Sequence, residues 1–208
     1  MYARSTTIRA GSGSLDDAIA YMRDEVWPAM QDMAGCVGLS MMCDRETGRC
    51  IATSAWEDQQ AMWASADRIH PMREHLVQHF GASDDMEVQE WEIAVLHREH
   101  AAAEGACARI TWTRGEPGRA DQLLDMYRSS LMPRIQEMPG FCSLSMLVDR
   151  DSARAVGTVV LDGREHLEQT REQARMLREE GVRILGVDVL DVAEMDLVLA
   201  HLRVPETV

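Results

Sequence analysis

Apolar residues recur along this chain with two different periods. From Leu15 to Met33 the residues Leu15, Ala18, Ile19, Met22, Val26, Met30 and Met33 follow 3.6-residue spacing, which predicts a helix with one buried stripe. Pro28 lies inside it and is expected to kink or break it, and Gly35 to stop it. Ahead of this helix, Ala3 to Arg9 has the Thr and Ile content of a strand. Behind it, Val37 to Cys43 and Arg49 to Trp56 predict two strands around the polar turn Asp44 to Gly48. Asp58 is a candidate N-cap for a second helix reaching about His79, with a break expected before Pro71 and an end at Gly81. Glu87 to His97 reads as a last strand. The order β-α-β-β-α-β is the ferredoxin-like arrangement of the α+β class, an antiparallel four-stranded sheet with two helices on one face. The strand Val37 to Cys43 is mostly apolar on both faces, which asks for a second sheet against the first.

The pattern then repeats. At an offset of 105, residues 28–53 and 133–158 share 11 identities in 26 ungapped positions, among them Pro28/Pro133, Gly35/Gly140, Leu39-Ser40-Met41/Leu144-Ser145-Met146 and Asp44-Arg45/Asp149-Arg150. Near the end the offset is 104, aligning Glu90 with Glu194 and His97 with His201. The second helical stripe is Ala120, Leu123, Leu124, Tyr127, Leu131, Ile135 and Met138. This is a tandem duplication, with units expected at 1–98 and 107–208 and a linker at 99–106. The second copy can supply the sheet that the first one asks for, giving a pseudo-dimer within one chain, with further association into a homodimer left open.

Composition narrows the chemistry. The net charge of −14 argues against nucleic-acid or anionic-membrane partners, and no run approaches the 18 apolar residues of a membrane span. With no signal-peptide pattern and an odd number of cysteines, a cytoplasmic location is expected. All 21 basic residues are Arg, and Lys and Asn are absent, which removes Schiff-base, phosphate-loop-lysine and asparagine-amide mechanisms.

The stretch Thr53-Ser-Ala-Trp56-Glu57-Asp58-Gln59-Gln60-Ala61-Met62 resembles the strand end and helix start of the antibiotic biosynthesis monooxygenase (ABM) domain. Pro28 through Gly38 is similar to that family's helix end and second strand, and Met138-Pro139-Gly140-Phe141 is closer still. The resemblance covers nearly the whole chain, twice. It implies a dimeric α+β barrel fold, here closed within one chain. Members of the family include cofactor-free quinone-forming oxygenases, haem-degrading enzymes and proteins without assigned activity. For haem degradation the resemblance calls for an Asn near Thr6, a Trp near Ser65 and a His near Glu74. This chain has no Asn, and offers Trp63 and His75 beside the other two positions. Haem is therefore a minor alternative, and no cofactor is expected.

A cofactor-free oxygenase needs a dry pocket with aromatic walls and a His or Arg to assist a phenolate. The first unit owns most of that supply: Trp27, Trp56, Trp63, Trp91, Arg68, His70, His75 and His79. Trp56 and Trp91 read first as strand-borne core, whereas Trp63 and Trp27 lie off the helical stripes and suit a pocket wall. On this reading His75 or His70 is the base, Trp63 and Trp27 stack the substrate, Arg68 holds the oxyanion, and Trp56, Trp91 and His79 complete the lining. His75 and His79 share a helix face but His70 does not, so no metal site is expected. Cys36, Cys43 and Cys50, replaced by Phe141, Val148 and Ala155, read as core that does not converge. Glu90 with Glu92, and Glu194 with Asp196, are paired carboxylates suited to acid–base work or to contacts and solvent. Asp84-Asp85 and Glu179-Glu180 read as solvated surface. The expected function is cofactor-independent oxygenation of a small phenol or hydroquinone in the first unit. The alternative is a non-catalytic protein that binds a small molecule or haem.

Overall fold

The stripes and alternations above form the expected elements in a computed structural model, which describes residues 1–11, 13–80 and 86–207. In chain order these are β1 (Tyr2–Arg9), α1 (Leu15–Tyr21), α2 (Trp27–Gln31), β2 (Cys36–Cys43), β3 (Arg49–Trp56), α3 (Gln59–Ala64), α4 (Ala66–Phe80) and β4 (Glu87–Arg98). They are followed by β5 (Cys107–Arg114), α5 (Ala120–Met126), α6 (Met132–Gln136), β6 (Phe141–Asp149), β7 (Arg154–Leu161), α7 (Arg164–Gln169), α8 (Arg171–Leu185) and β8 (Asp188–Leu202). Gly81, the expected helix end, and Asp84-Asp85 lie outside the described residues. Among the described residues no helix is long and apolar enough to cross a membrane.

The chain divides into two compact units, Met1–Trp91 with Leu197–Val204, and Glu92–Asp196 with Pro205–Val208. The long strands β4 and β8 thus each contribute to both. In the first unit β3 pairs antiparallel with β1 and with β2, from Tyr2↔Trp56 to Arg9↔Arg49 on one side and Cys36↔Trp56 to Cys43↔Cys50 on the other. In the second unit β7 pairs in the same way with β5 and β6, and the outer strands are Asp188–Asp196 of β8 on β5 and Glu92–Arg98 of β4 on β6.

Pro28 and Pro133 do not break their helices. A five-residue π-helical turn stands just ahead of each, Met22–Val26 and Tyr127–Leu131. The Trp27 N–H reaches back to the Met22 carbonyl and the Met132 N–H to that of Tyr127. The wider turn absorbs the proline's missing donor and the crowding of its ring, so the chain continues as α2 and α6 with proline as second residue. The second helix also differs from expectation. Asp58 caps it, accepting from the Ala61 N–H at 2.7 Å, but the break falls at Ser65, and α4 runs on through Pro71. Ser65 Oγ donates to the Met62 carbonyl at 2.7 Å and so ends α3 itself.

Each unit has its own core. Ala18, Met22, Val26, Met30 and Met33 of the first stripe are buried against Leu39, Met41, Trp56, Met62, Ile69 and Leu76. Leu124, Tyr127, Leu131, Ile135 and Met138 play the same part with Leu144, Leu161, Leu167 and Leu177. Each Val, Leu, Ile or Met side chain among these contributes about 1.5–3 kcal/mol by leaving water. Cys43 and Cys50 are core residues but do converge: they oppose each other across the β2–β3 hairpin, Sγ to Sγ 2.7 Å, with no disulfide. The spacing of seven concealed this because the hairpin turn, not the strand period, brings them together.

The hairpin turns carry one local strain. Gly48 has φ +70, and at the equivalent place in the second unit Ala153 has φ +55. A non-glycine residue there costs about 1–2 kcal/mol, partly offset by glycine's own entropy of about 0.5–1 kcal/mol. Ala153→Gly is expected to stabilise the protein by about 0.5–1 kcal/mol in urea unfolding.

Candidate functional site

The larger cavity of the described residues lies in the second unit, at about 180 Å³, beneath α5, α6 and α8 and over β5, β6 and β7. An apolar cavity of roughly 150 Å³ is enough to hold benzene. Its walls are mainly Leu123, Leu124, Leu131, Met146, Leu177 and Val182. The cavity exists because the second unit has lost side-chain volume. Ala174 and Gly181 on α8 stand where α4 carries Ile69 and Leu76, and Gly157 stands where β3 carries Ala52. In the first unit those bulkier residues leave about 40 Å³. The expectation of a pocket in the first unit followed its tryptophans, but Trp56 and Trp91 are spent on filling that core, 0% and 3% exposed.

Tyr127 opens the π-helical turn and lines this cavity, 7% exposed. Among the described residues its hydroxyl has no hydrogen-bond partner and is free to meet a ligand in the cavity, and Arg154, also in the lining, has a buried Nε without a partner. Burial pushes the pKa of Tyr127 well up, so the phenol stays protonated and is a donor. Arg109 reaches the cavity from β5, and Arg150, Arg154, Arg178, Glu116 and Asp149 are among the other polar residues of its lining. Burial works against the charge of Asp149, but bonds from the Ser152 hydroxyl and from the Ser152 and Asp151 N–H groups outweigh it and hold the carboxyl below the usual range.

Arg109 is 5% exposed and fully engaged. It donates to Glu194 Oε1 from Nε at 3.1 Å and from Nη2 at 2.9 Å, to the Leu167 carbonyl at 2.6 Å, and to Thr170 Oγ1 at 3.3 Å. Arg171 adds a second cation to Glu194 at 2.7 Å. The first unit repeats the device: Arg4, 4% exposed, donates to Glu90 at 3.0 and 2.7 Å and to Ser65 Oγ at 3.1 Å. Glu90 and Glu194 are thus ion-paired with arginines. Glu92, on the same strand, is bound by Arg150 at 2.6 Å. Of the supposed surface acids, Glu179 pairs with Arg175 and Glu180 with Arg134. The sequence signal for the buried arginines was present: Arg4 and Arg109 align at the offset of 105, on strand positions otherwise shared with buried residues.

None of the eight residues singled out in the first unit lines either cavity. Trp56 Nε1 donates to Ser54 Oγ at 3.0 Å and Trp91 Nε1 to Ser5 Oγ at 2.8 Å, both in the core. Trp63 is 55% exposed and donates to Glu90 at 2.9 Å. Trp27 is half-buried and stacks on His201 at 4.9 Å. Arg68 is exposed, and His70 is exposed beside Glu74 at 3.4 Å. His75 stacks between Tyr21 at 4.4 Å and His79 at 3.9 Å, bringing those two histidines together on α4 without His70. Among the described residues no histidine lines either of these two cavities, so neither offers an imidazole to a haem iron.

With this geometry in hand, the chain can be set beside known proteins. A candidate monooxygenase from Fusobacterium nucleatum superposes with a TM-score of 0.72 at 10% identity, over 97% of this chain and 94% of its own. An anthrone oxidase-like protein does so at 0.65 and 14%, over 97% and 93%. The haem-degrading enzyme of Listeria monocytogenes gives 0.53 and 10%, over 95% and 98%. The fold is that of the ABM-type proteins, α+β and ferredoxin-like. No protein-family model matches. The chain is 48% identical to the uncharacterized proteins Rv2557 and Rv2558 of Mycobacterium tuberculosis, over 208 and 209 residues, covering 100% of this chain and 92% and 88% of theirs. It belongs to the family of these mycobacterial proteins.

The buried pairs set a pH dependence. Burial opposes ionisation of Glu90 and Glu194, but hydrogen bonds from Arg4 and Trp63 to the one, and from Arg171 and Arg109 to the other, prevail and hold both carboxyls below their ordinary range. A depressed folded-state pKa gives stability that is present above the unfolded value of about 4.3 and lost as pH falls through the folded one. Glu194→Gln, which leaves Arg109 buried and uncompensated, is expected to cost about 3 kcal/mol at neutral pH and to flatten the acid limb of a urea-unfolding profile.

Proposed function

We propose that the protein binds a small hydroxylated aromatic molecule in the second unit's cavity and oxygenates it without a cofactor. The observation that carries this reading is an apolar cavity of about 180 Å³ lined by Tyr127, whose hydroxyl has no protein partner among the described residues. A one- or two-ring phenol matches the space, and its oxygen supplies the partner that Tyr127 lacks. The likeness of fold to an anthrone oxidase-like protein and to candidate monooxygenases supports the same reading.

The reaction needs no group beyond substrate and O₂. A naphthol gives up its phenolic proton to water at the cavity's open side, and the anion is held by the Tyr127 hydroxyl and the positive field of the arginines. The ring carbon opposite the oxygen then bonds one atom of O₂ and loses its hydrogen. The other oxygen atom leaves as water, so that naphthol and O₂ give naphthoquinone and H₂O. The apolar walls admit O₂ to the bound ring.

A second reading is favoured by one observation. The carboxylates lining the cavity already have partners, Glu116 with Arg119 at 3.1 Å and Asp149 with Ser152 and Asp151. On that reading the protein binds the same phenol and does not turn it over.

Oxygen-electrode and quinone-absorbance assays with a naphthol separate the two. The oxygenase reading predicts one O₂ consumed per quinone formed, whereas binding alone predicts a raised Tm with no O₂ uptake. In either case Tyr127→Phe is expected to keep the fold and weaken binding about three- to tenfold, the loss of one hydrogen bond. Ala174→Ile, which restores the first unit's residue, is expected to abolish binding. If both variants bind as the unaltered protein does, the cavity is not the site.

A further inference from the structure

We propose that His100, Cys142 and Asp162 form a zinc-binding site in the second unit, with three protein ligands and a fourth position open to solvent. One donor atom from each lies within 4.8 Å of the others. His100 Nε2 is 2.8 Å from Asp162 Oδ1, and the Cys142 thiol donates to the same oxygen at 3.1 Å. A tetrahedral zinc with bonds of about 2.0–2.3 Å holds its ligands roughly 3.3–3.8 Å apart, so small side-chain rotations suffice. Imidazole nitrogen, thiolate and carboxylate together suit zinc, whereas calcium and magnesium call for oxygen alone.

The backbone preorganises this set. The Glu99 and His100 N–H groups both donate to the Cys142 carbonyl, at 2.8 and 3.4 Å, and the Asp162 N–H donates to the Gly140 carbonyl at 2.8 Å. The segment after β4, the start of β6 and the end of β7 are therefore tied at one point. Cys142 is fully buried while His100 and Asp162 remain 46% and 38% exposed, which leaves an ion a way in. His166, whose ring packs against Gly140, is the next nitrogen base in reach of Asp162.

The fold does not require these residues. At the equivalent turn of the first unit, Val37, Glu57 and Ala61 stand where the second has Cys142, Asp162 and His166. Nor is the cluster a nucleophile with its base: burial, and then Asp162, push the Cys142 thiol up to about 12, so without a metal it stays protonated. Cys107 with Asp196 at 3.6 Å resembles the cluster but has no histidine, and provides a control.

The test is a cobalt titration of the chelator-treated protein, followed by displacement with zinc. The expected result is one Co²⁺ per chain with thiolate-to-metal charge-transfer absorption. That absorption is lost in Cys142→Ser and kept in Cys107→Ser. His100→Ala, an exposed change that leaves the core intact, is expected to weaken zinc binding at least about tenfold, since even outer-shell changes cost that much. The proposal is overturned if no saturable binding occurs, if the charge-transfer band survives Cys142→Ser, or if His100→Ala binds zinc as the unaltered protein does.

Discussion

A guanidinium taken out of water must be paired, and each unit of this protein is organised by meeting that requirement. Arg109 is held by Glu194 from β8, by Thr170 and by the Leu167 carbonyl. Arg4 is held by Glu90 from β4 and by Ser65. One cation thus fastens a first strand, a last strand and the joint between two helices. Replacing such a pair by apolar groups can be nearly neutral, but removing one partner is costly, so the network acts more as a constraint on geometry than as a source of stability. It meets the second helix where that helix divides, at Ser65 in one unit and at Leu167 and Thr170 in the other.

Within that shared frame the units are filled differently. The first is closed by Ile69, Leu76, Trp56 and Trp91; the second gives up volume at Ala174, Gly181 and Gly157 and places Tyr127 at the resulting space. Close-packed interiors do not leave such a gap without cost, and loss of a buried aliphatic group is felt at 1 kcal/mol or more. The ligand proposed above would fill the cavity and pair with the Tyr127 hydroxyl. The π-helical turns belong to the same logic: they carry the proline, and in the second unit the turn's first residue is Tyr127.

Much of the fold was legible in the sequence because periodicity reports burial directly. The stripes at Leu15 to Met33 and Ala120 to Met138, and the strands on both sides of Asp44 to Gly48, appear where the pattern put them. What escaped were features set by tertiary context. A proline in a helix reads as a break, and only the three-dimensional turn shows how a π segment absorbs it. Ser65, where the second helix divides, is bonded by Arg4, 61 residues away. Counting aromatic and titratable side chains points to Trp63, His70 and His75, which line neither cavity, whereas the second unit's cavity is written in missing volume. Comparing Ala174 with Ile69 and Gly181 with Leu76 across the repeat would have found it. Tyr127 stood in the apolar stripe and was read as packing, because periodicity cannot tell whether a hydroxyl has a partner.

The most direct test is a crystal structure of the protein soaked with a naphthol. The account predicts a planar ring enclosed by Leu131, Met146 and Leu177, with its oxygen within hydrogen-bonding distance of the Tyr127 hydroxyl. A cavity without the ring, and the naphthol instead against Trp63 or His75 of the first unit, would contradict it.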